Sequence, residues 1–192
     1  MNDSPASSTA STTVSRLLDA VEVLCAEMSP SDVTMRKIAT KAGLSVGLAY
    51  RYFRSRDELF GAALDRMGER IVATAVGEDP MTAIPALWKA AGDNPAFPRL
   101  VTSFAMSGRY APDVMSEDPL MRRITSASVE LGIDDPETVA GVTGMLVLTG
   151  AMFAPTLNRA IGRDPGDPRI YDATAAMMAL WLKDVGAGVS RE

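Results

Sequence analysis

The chain has 192 residues, 47% hydrophobic and 22% charged, and a formal net charge of −5. That length holds one core or two small ones. It has no histidine and one cysteine, Cys25, which excludes Ser-His-Asp and Cys-His catalysis, an internal disulfide and most zinc site types.

Residues 1–12 are small and polar, lack lysine and arginine, and are expected to form a disordered tail without a minor-groove arm. An amphipathic helix is expected over 13–28. There Leu17, Leu18, Val21, Leu24, Cys25 and Met28 recur at helical spacing, with Arg16, Asp19, Glu22 and Glu27 off the stripe. Ser29-Pro30-Ser31-Asp32 reads as a turn.

Two short helices joined by a tight turn follow. Thr34 is placed as the N-cap of a helix over 35–42, with Ile38 and Ala39 facing inward. Gly43 stands where a helix ends in a left-handed residue, Leu44 fills the angle, and Ser45 caps a second helix over 46–53. Ala39 is small enough to let the two backbones approach. This is the anatomy of a helix-turn-helix, whose second helix can enter a DNA major groove. Charge agrees. Residues 34–56 hold six basic side chains (Arg36, Lys37, Lys41, Arg51, Arg54 and Arg56) and no acidic one, leaving 13 basic against 24 acidic residues elsewhere. A local cationic surface of this kind suits phosphate, whatever the overall charge.

Ser55-Arg56-Asp57-Glu58 has the form of a capping box. It opens a long helix to about residue 76, with Phe60, Leu64, Met67 and Ile71 as its apolar stripe. The remainder reads as helices without a strand pattern: over 82–91, from Asn94-Pro95 onward, over 119–131, over 137–153, and from Asp167-Pro168 to about 186, with 155–168 a loop. The last two helices mix glycine and alanine with large apolar residues on more than one face, so they need cover on more than one side. No apolar run approaches a bilayer span, and no basic-then-apolar leader opens the chain, so a cytoplasmic protein without a membrane partner is expected. No nucleophile–base pair or metal-ligand pattern stands out, and no catalytic residue, metal or cofactor is expected.

The run IATKAGLSVGLAYRYFRSRDELF over 38–60 closely resembles the amino-terminal signature of TetR-family transcriptional regulators. The matching positions are Ile38, Ala39, Ala42, Gly43, Ser45, Gly47, Tyr50, Phe53, Ser55, Leu59 and Phe60, with Arg56 where the family usually has lysine. The resemblance implies phosphate contacts at Thr34, Tyr50, Tyr52 and Arg56, aided by helix N-termini at Thr34, Ser45 and Ser55. It implies base reading by Val46, Gly47, Leu48 and Arg51, with Arg36 contributing from the first helix; Arg51 suits guanine, and Val46 or Leu48 a thymine methyl. Two departures matter: the family often has lysine at Val46 and threonine or alanine at Leu48. They leave the operator sequence open. They also motivate an alternative, a small-molecule binding protein whose degenerate helix-turn-helix no longer regulates DNA.

The expected architecture is all-α, with an N-terminal three-helix helix-turn-helix DNA-binding domain over 13–57. A C-terminal helical domain over 58–186, for ligand binding and dimerisation, and a tail over 187–192 complete it. The resemblance implies a repressor that binds near-palindromic double-stranded operator DNA as a homodimer through its last two helices. A small apolar effector, of unknown identity, would release it. Candidates to line the effector pocket are Trp88, Phe97, Phe104, Met115, Met145 and Phe153.

Overall fold

The computed structural model describes residues 5–108 and 118–188, with the side chains of all of these except 5–9, 151 and 185–188. Among the described residues the regular elements are helices: α1 (Pro5–Glu27), α2 (Met35–Ala42), α3 (Val46–Tyr52), α4 (Arg56–Ala73), α5 (Pro80–Asp93), α6 (Ala96–Met106), α7 (Pro119–Glu130), α8 (Pro136–Ala160) and α9 (Arg169–Gly188). A single 3-10 turn, Pro30–Asp32, sits between α1 and α2.

The chain divides into two compact units. The first comprises Met1–Arg66 with Arg99–Glu117, the second Met67–Pro98 with Asp118–Glu192. The division therefore falls inside α4 and inside α6, rather than at the residue 57 boundary expected from sequence. In the first unit, α1 packs on α2 and α2 on α3. Leu17, Val21, Leu24 and Cys25 from α1 bury with Ile38, Ala39, Ala49 and Phe53 as its core. In the second, α5 packs against α7, α8 and α9, and α8 against both α7 and α9. Its core is built from Ile84, Leu87, Trp88, Leu120, Ile124, Val139, Val147, Met178 and Leu182.

Two expectations are corrected. The segment 5–12, expected in a disordered tail, is the first part of α1. Pro5 is tolerated in a first turn, and extending a helix already nucleated over 13–27 costs far less than starting one. Residues 1–4 and 189–192 lie outside the described residues. The loop expected from 155 begins later, because α8 continues through Pro155 to Ala160. A bend of 49° separates its stretches Pro136–Gly150 and Met152–Ala160. The bend falls at Ala151, whose carbonyl is the i−4 partner that Pro155 cannot bond and must avoid. Packing holds the second stretch: Ala154 and Asn158 are buried. The Asn158 amide nitrogen donates to the Asp167 carbonyl at 2.7 Å, fastening the following loop.

Side-chain caps start most of these helices. Asp79, Asp118 and Asp135 each accept backbone N–H groups at the heads of α5, α7 and α8. The Thr82 and Thr138 hydroxyls, with those N–H groups, hold the Asp79 and Asp135 carboxyls below their ordinary range. No single described helix is long and apolar enough to cross a membrane.

Candidate nucleic-acid interface

The helix-turn-helix is built as its residue types demand. Thr34 is extended, and its Oγ1 accepts from Lys37 N at 3.3 Å. Gly43 is left-handed, with φ 65°, and its N–H donates back to Ala39 and Thr40 carbonyls. A Cβ at that position would also stand 2.8 Å from Arg16 Nη2. Ser45 then caps α3, its Oγ accepting from Leu48 N at 3.2 Å. Each such cap is worth about 1 kcal/mol, enough to define where two helices of only eight and seven residues begin.

The same order governs the start of α4. Ser55 Oγ accepts from Glu58 N at 3.0 Å, while the Glu58 carboxylate accepts from Arg54 N at 2.7 Å. The reciprocal half of the capping box thus reaches one residue further back than the simple form.

Packing sorts the motif into an inner and an outer face. Ala49 and Phe53 are buried, while Thr34, Arg36, Ser45, Gly47, Tyr50 and Arg51 are exposed, Tyr50 by 52%. Val46, Leu48 and Tyr52 are half-buried on the flanks of α3. Gly47 faces open space, since a Cβ there would meet nothing within 4 Å. All ten sequence-predicted residues therefore belong to one unit, and six of them form its open surface.

Arg56, expected at a phosphate, is also tied into the fold. Its Nη1 donates to the Val33 carbonyl at 3.3 Å, its Nε pairs with Asp57 at 3.4 Å, and its guanidinium lies 5.2 Å from the Phe60 ring centroid. It joins the residue before the α2 cap to the head of α4. Lys37 is likewise engaged, donating to the Asp32 carbonyl at 2.9 Å.

Three arginines that the sequence did not point to complete the unit. Arg16 of α1 donates to the Gly43 carbonyl at 3.4 Å, at the motif's turn. Arg66 of α4 donates to Asp19 and Glu22 of α1 at 2.7 and 2.6 Å, and Arg99 of α6 donates to the Cys25 and Ala26 carbonyls. These partners are 27 to 74 residues apart in the chain, beyond any local pattern. Burial pushes the Cys25 thiol from 9.0 up to about 12, against the opposing pull of the Arg56 and Arg99 charges.

The effector-pocket candidates separate. Trp88, Phe97 and Phe104 are buried, and Phe104 meets Phe60 edge-on at 6.3 Å. Met145 and Phe153 are 60% and 55% exposed on α8. Beyond the bend, Phe153 and the half-exposed Leu157 are four residues apart and so share one side of the helix. Met115 lies outside the described residues. No group of three or more metal-ligating side chains occurs among the described residues.

Known proteins carry the same pattern. Residues 17–63 match the family model of bacterial regulatory proteins, tetR family. A helix-turn-helix transcriptional regulator of Mycobacterium tuberculosis H37Rv is 30% identical over 166 residues, covering 80% of this chain and 78% of the relative. The chain belongs to the TetR family. A helix-turn-helix transcriptional repressor of the same organism is 34% identical over 68 residues, 35% of this chain and 36% of its own. Among solved structures, a transcriptional regulator from Rhodococcus sp. RHA1 shares the fold with a TM-score of 0.66 at 20% identity, over 91% of this chain and 96% of that one. A TetR-family regulator from Streptomyces coelicolor does so with 0.63 at 21% identity, over 90% and 99%. As a TetR-family member, the protein is a DNA-binding transcriptional regulator that acts on operator DNA as a dimer. Nothing in these likenesses favours the alternative of a binding protein without DNA.

Proposed function

We propose that this TetR-family protein is a cytoplasmic repressor whose α3 reads the operator and whose α8 and α9 form the homodimer interface. The observation that carries the reading is the outer face of α3, where Gly47, Tyr50 and Arg51 stand exposed between two capped helix N-termini and no carboxylate belongs to residues 34–56. First-turn N–H groups and flanking cations hold phosphates and set register. Arg51 donates to a guanine edge, and Val46 and Leu48 meet thymine methyls at the groove wall. Arg36 adds to base reading from α2, while Thr34, Ser45, Tyr50 and Tyr52 hold backbone phosphates. Arg56, already bonded to Val33 and Asp57, acts on DNA by holding two helix heads in place.

The dimer reading rests on apolar exposure. Met145, Phe153 and Leu157 on α8, and Met177 and Leu180 on α9, are all at least half exposed. A second copy of the same face would cover them and, by two-fold symmetry, set two recognition helices against half-sites about 34–36 Å or a multiple apart. The effector reading rests on Trp88, fully buried with its indole Nε1 lacking a hydrogen-bond partner, and on Thr143 Oγ1 in the same state. An apolar ligand carrying one acceptor group would satisfy such a donor. It releases DNA only to the extent that it prefers the non-binding state.

The test is fluorescence anisotropy of the purified protein on the duplex upstream of its gene and on a scrambled duplex, at two salt concentrations. Tighter binding to the upstream duplex, persisting at higher salt and losing base preference in Arg51→Ala, supports the reading. No binding to either duplex overturns it.

A further inference from the structure

α4 and α6 are the two described helices through which the chain runs from one compact unit into the other, and each begins or ends its share of the DNA-binding unit with an arginine: Arg66 and Arg99. Both arginines grip α1. Arg66 spreads its guanidinium over one side of the helix, with Nη2 on Asp19 and Glu22, Nε on Glu22 at 3.2 Å, and Nη1 on the Ser15 carbonyl at 3.3 Å. Its side chain is 22% exposed and that of Glu22 17%, so this pair is better shielded than an ordinary surface ion pair. Arg99 takes the helix end, where carbonyls lack intrahelical donors and a cation is favoured. Its Nη1 donates to both Cys25 and Ala26 oxygens. At the other end of this connection, α1 packs on α2 and Arg16 donates to the Gly43 carbonyl in the turn before α3.

We propose that Arg66 and Arg99 are positioning residues for operator recognition: by fastening α1 to α4 and to α6 they set the pose of the helix-turn-helix, and so the half-site spacing that the dimer accepts. Neither arginine touches DNA in that role. A guanidinium suits the task because its planar fork holds several acceptors at once, whereas a lysine offers one point charge. Two separate grips at the middle and the end of one helix restrain both its translation and its rotation, which a single grip does not. Loss of either frees one of those motions, and the recognition helices then reach half-sites that a fixed pose refuses.

The inference rests on the paired-half-site reading above, and one experiment separates the two. An operator recovered by selection from random duplexes is rebuilt with its half-sites moved one base pair closer or further apart, and as a single half-site. Wild type, Arg99→Met, Arg66→Met and Arg66→Lys are compared by anisotropy, with Lys89→Met as a remote control. Arg66→Lys is included because Arg66→Met leaves Asp19 and Glu22 without their cation. Wild type and Lys89→Met are expected to favour the selected spacing. Each arginine variant is expected to lose roughly 2- to 30-fold of that preference, with Arg66→Lys intermediate and single half-site binding unchanged. Variants that keep the wild-type preference, or weaken on every duplex alike, overturn the positioning role and leave the regulator reading intact. A wild type indifferent to spacing overturns both.

Discussion

The hydroxyl oxygen of Tyr171 stands 1.6 Å from where a Cβ on Gly92 would be, so α9 seats on α5 only because residue 92 lacks a side chain. The phenol donates to the Trp88 carbonyl at 2.6 Å, and its ring lies 3.5 Å from that of Trp88, centroid to centroid. Gly92→Ala is expected to destabilise the protein by about 1–3 kcal/mol through overpacking, and Tyr171→Ala by about 3 kcal/mol or less through loss of a half-buried ring stacked on Trp88. The double variant is expected to cost clearly less than the sum, since the new methyl enters space the ring has left. Urea unfolding followed by tryptophan fluorescence measures all three; strict additivity would show that the two residues do not share one slot.

Gly47 has no such packing reason. Alanine there is expected to raise the melting temperature slightly, by about 0.4–1 kcal/mol of stability, because the site is helical and open. The same methyl stands on the surface that must approach a base edge, so operator affinity is expected to fall. Opposite signs from one substitution distinguish a reading surface from a folding requirement. A variant that binds as tightly as wild type removes Gly47 from the interface.

The contrast between these glycines shows what was legible in the sequence. Gly43, Ser45, Thr34 and Phe53 act within a few residues of themselves, through capping, a left-handed φ and helical periodicity, and local patterns revealed each of them. The role of Gly92 depends on Tyr171, 79 positions further along the chain, and no periodicity encodes that pairing. Pro155 misled for the opposite reason: its local rule is sound, yet burial of Ala154 and Asn158 keeps the helix going at the expense of a bend. Met145 and Phe153 show a third limit. Apolar side chains at helical spacing announce a buried face without saying whether this chain or a second copy buries it.

Leu180 is 66% exposed on α9. Leu180→Glu is expected to shift the protein from dimer to monomer in sedimentation, because a carboxylate cannot be desolvated unpaired in a symmetric apolar contact. Far-ultraviolet circular dichroism is expected to stay as in wild type. A dimer as strong as before would place the interface elsewhere.

Cys25 provides a test on the alkaline side. Its folded-state value, about 12, lies above the ordinary 9.0. The thiol's contribution to stability is therefore whole below pH 9 and is lost as pH rises from there toward 12, where the unfolded chain releases the proton first. Wild type is expected to lose more stability than Cys25→Ala between pH 8.5 and 10.5, by about 1 kcal/mol or more. Thiol reagents are expected to label Cys25 only on unfolding; rapid labelling of the native protein would contradict its burial.

Lys37 and Arg56 already hold the Asp32 and Val33 carbonyls. That leaves Arg36, Lys41, Arg51 and Arg54, whose exposed cationic groups carry no partner among the described residues. Every phosphate met by such a cation expels condensed counterions from the duplex. With Arg36 and Arg51 on base edges, Lys41 and Arg54 are the cations left for phosphates, four on a dimer, and give a log–log slope of affinity against salt of about −4, where all twelve on phosphates would give about −11. A regulator wired in this way is expected to hold its operator across swings in potassium concentration that would strip a more fully charged grip, and a titration from low to high potassium chloride reads the difference directly.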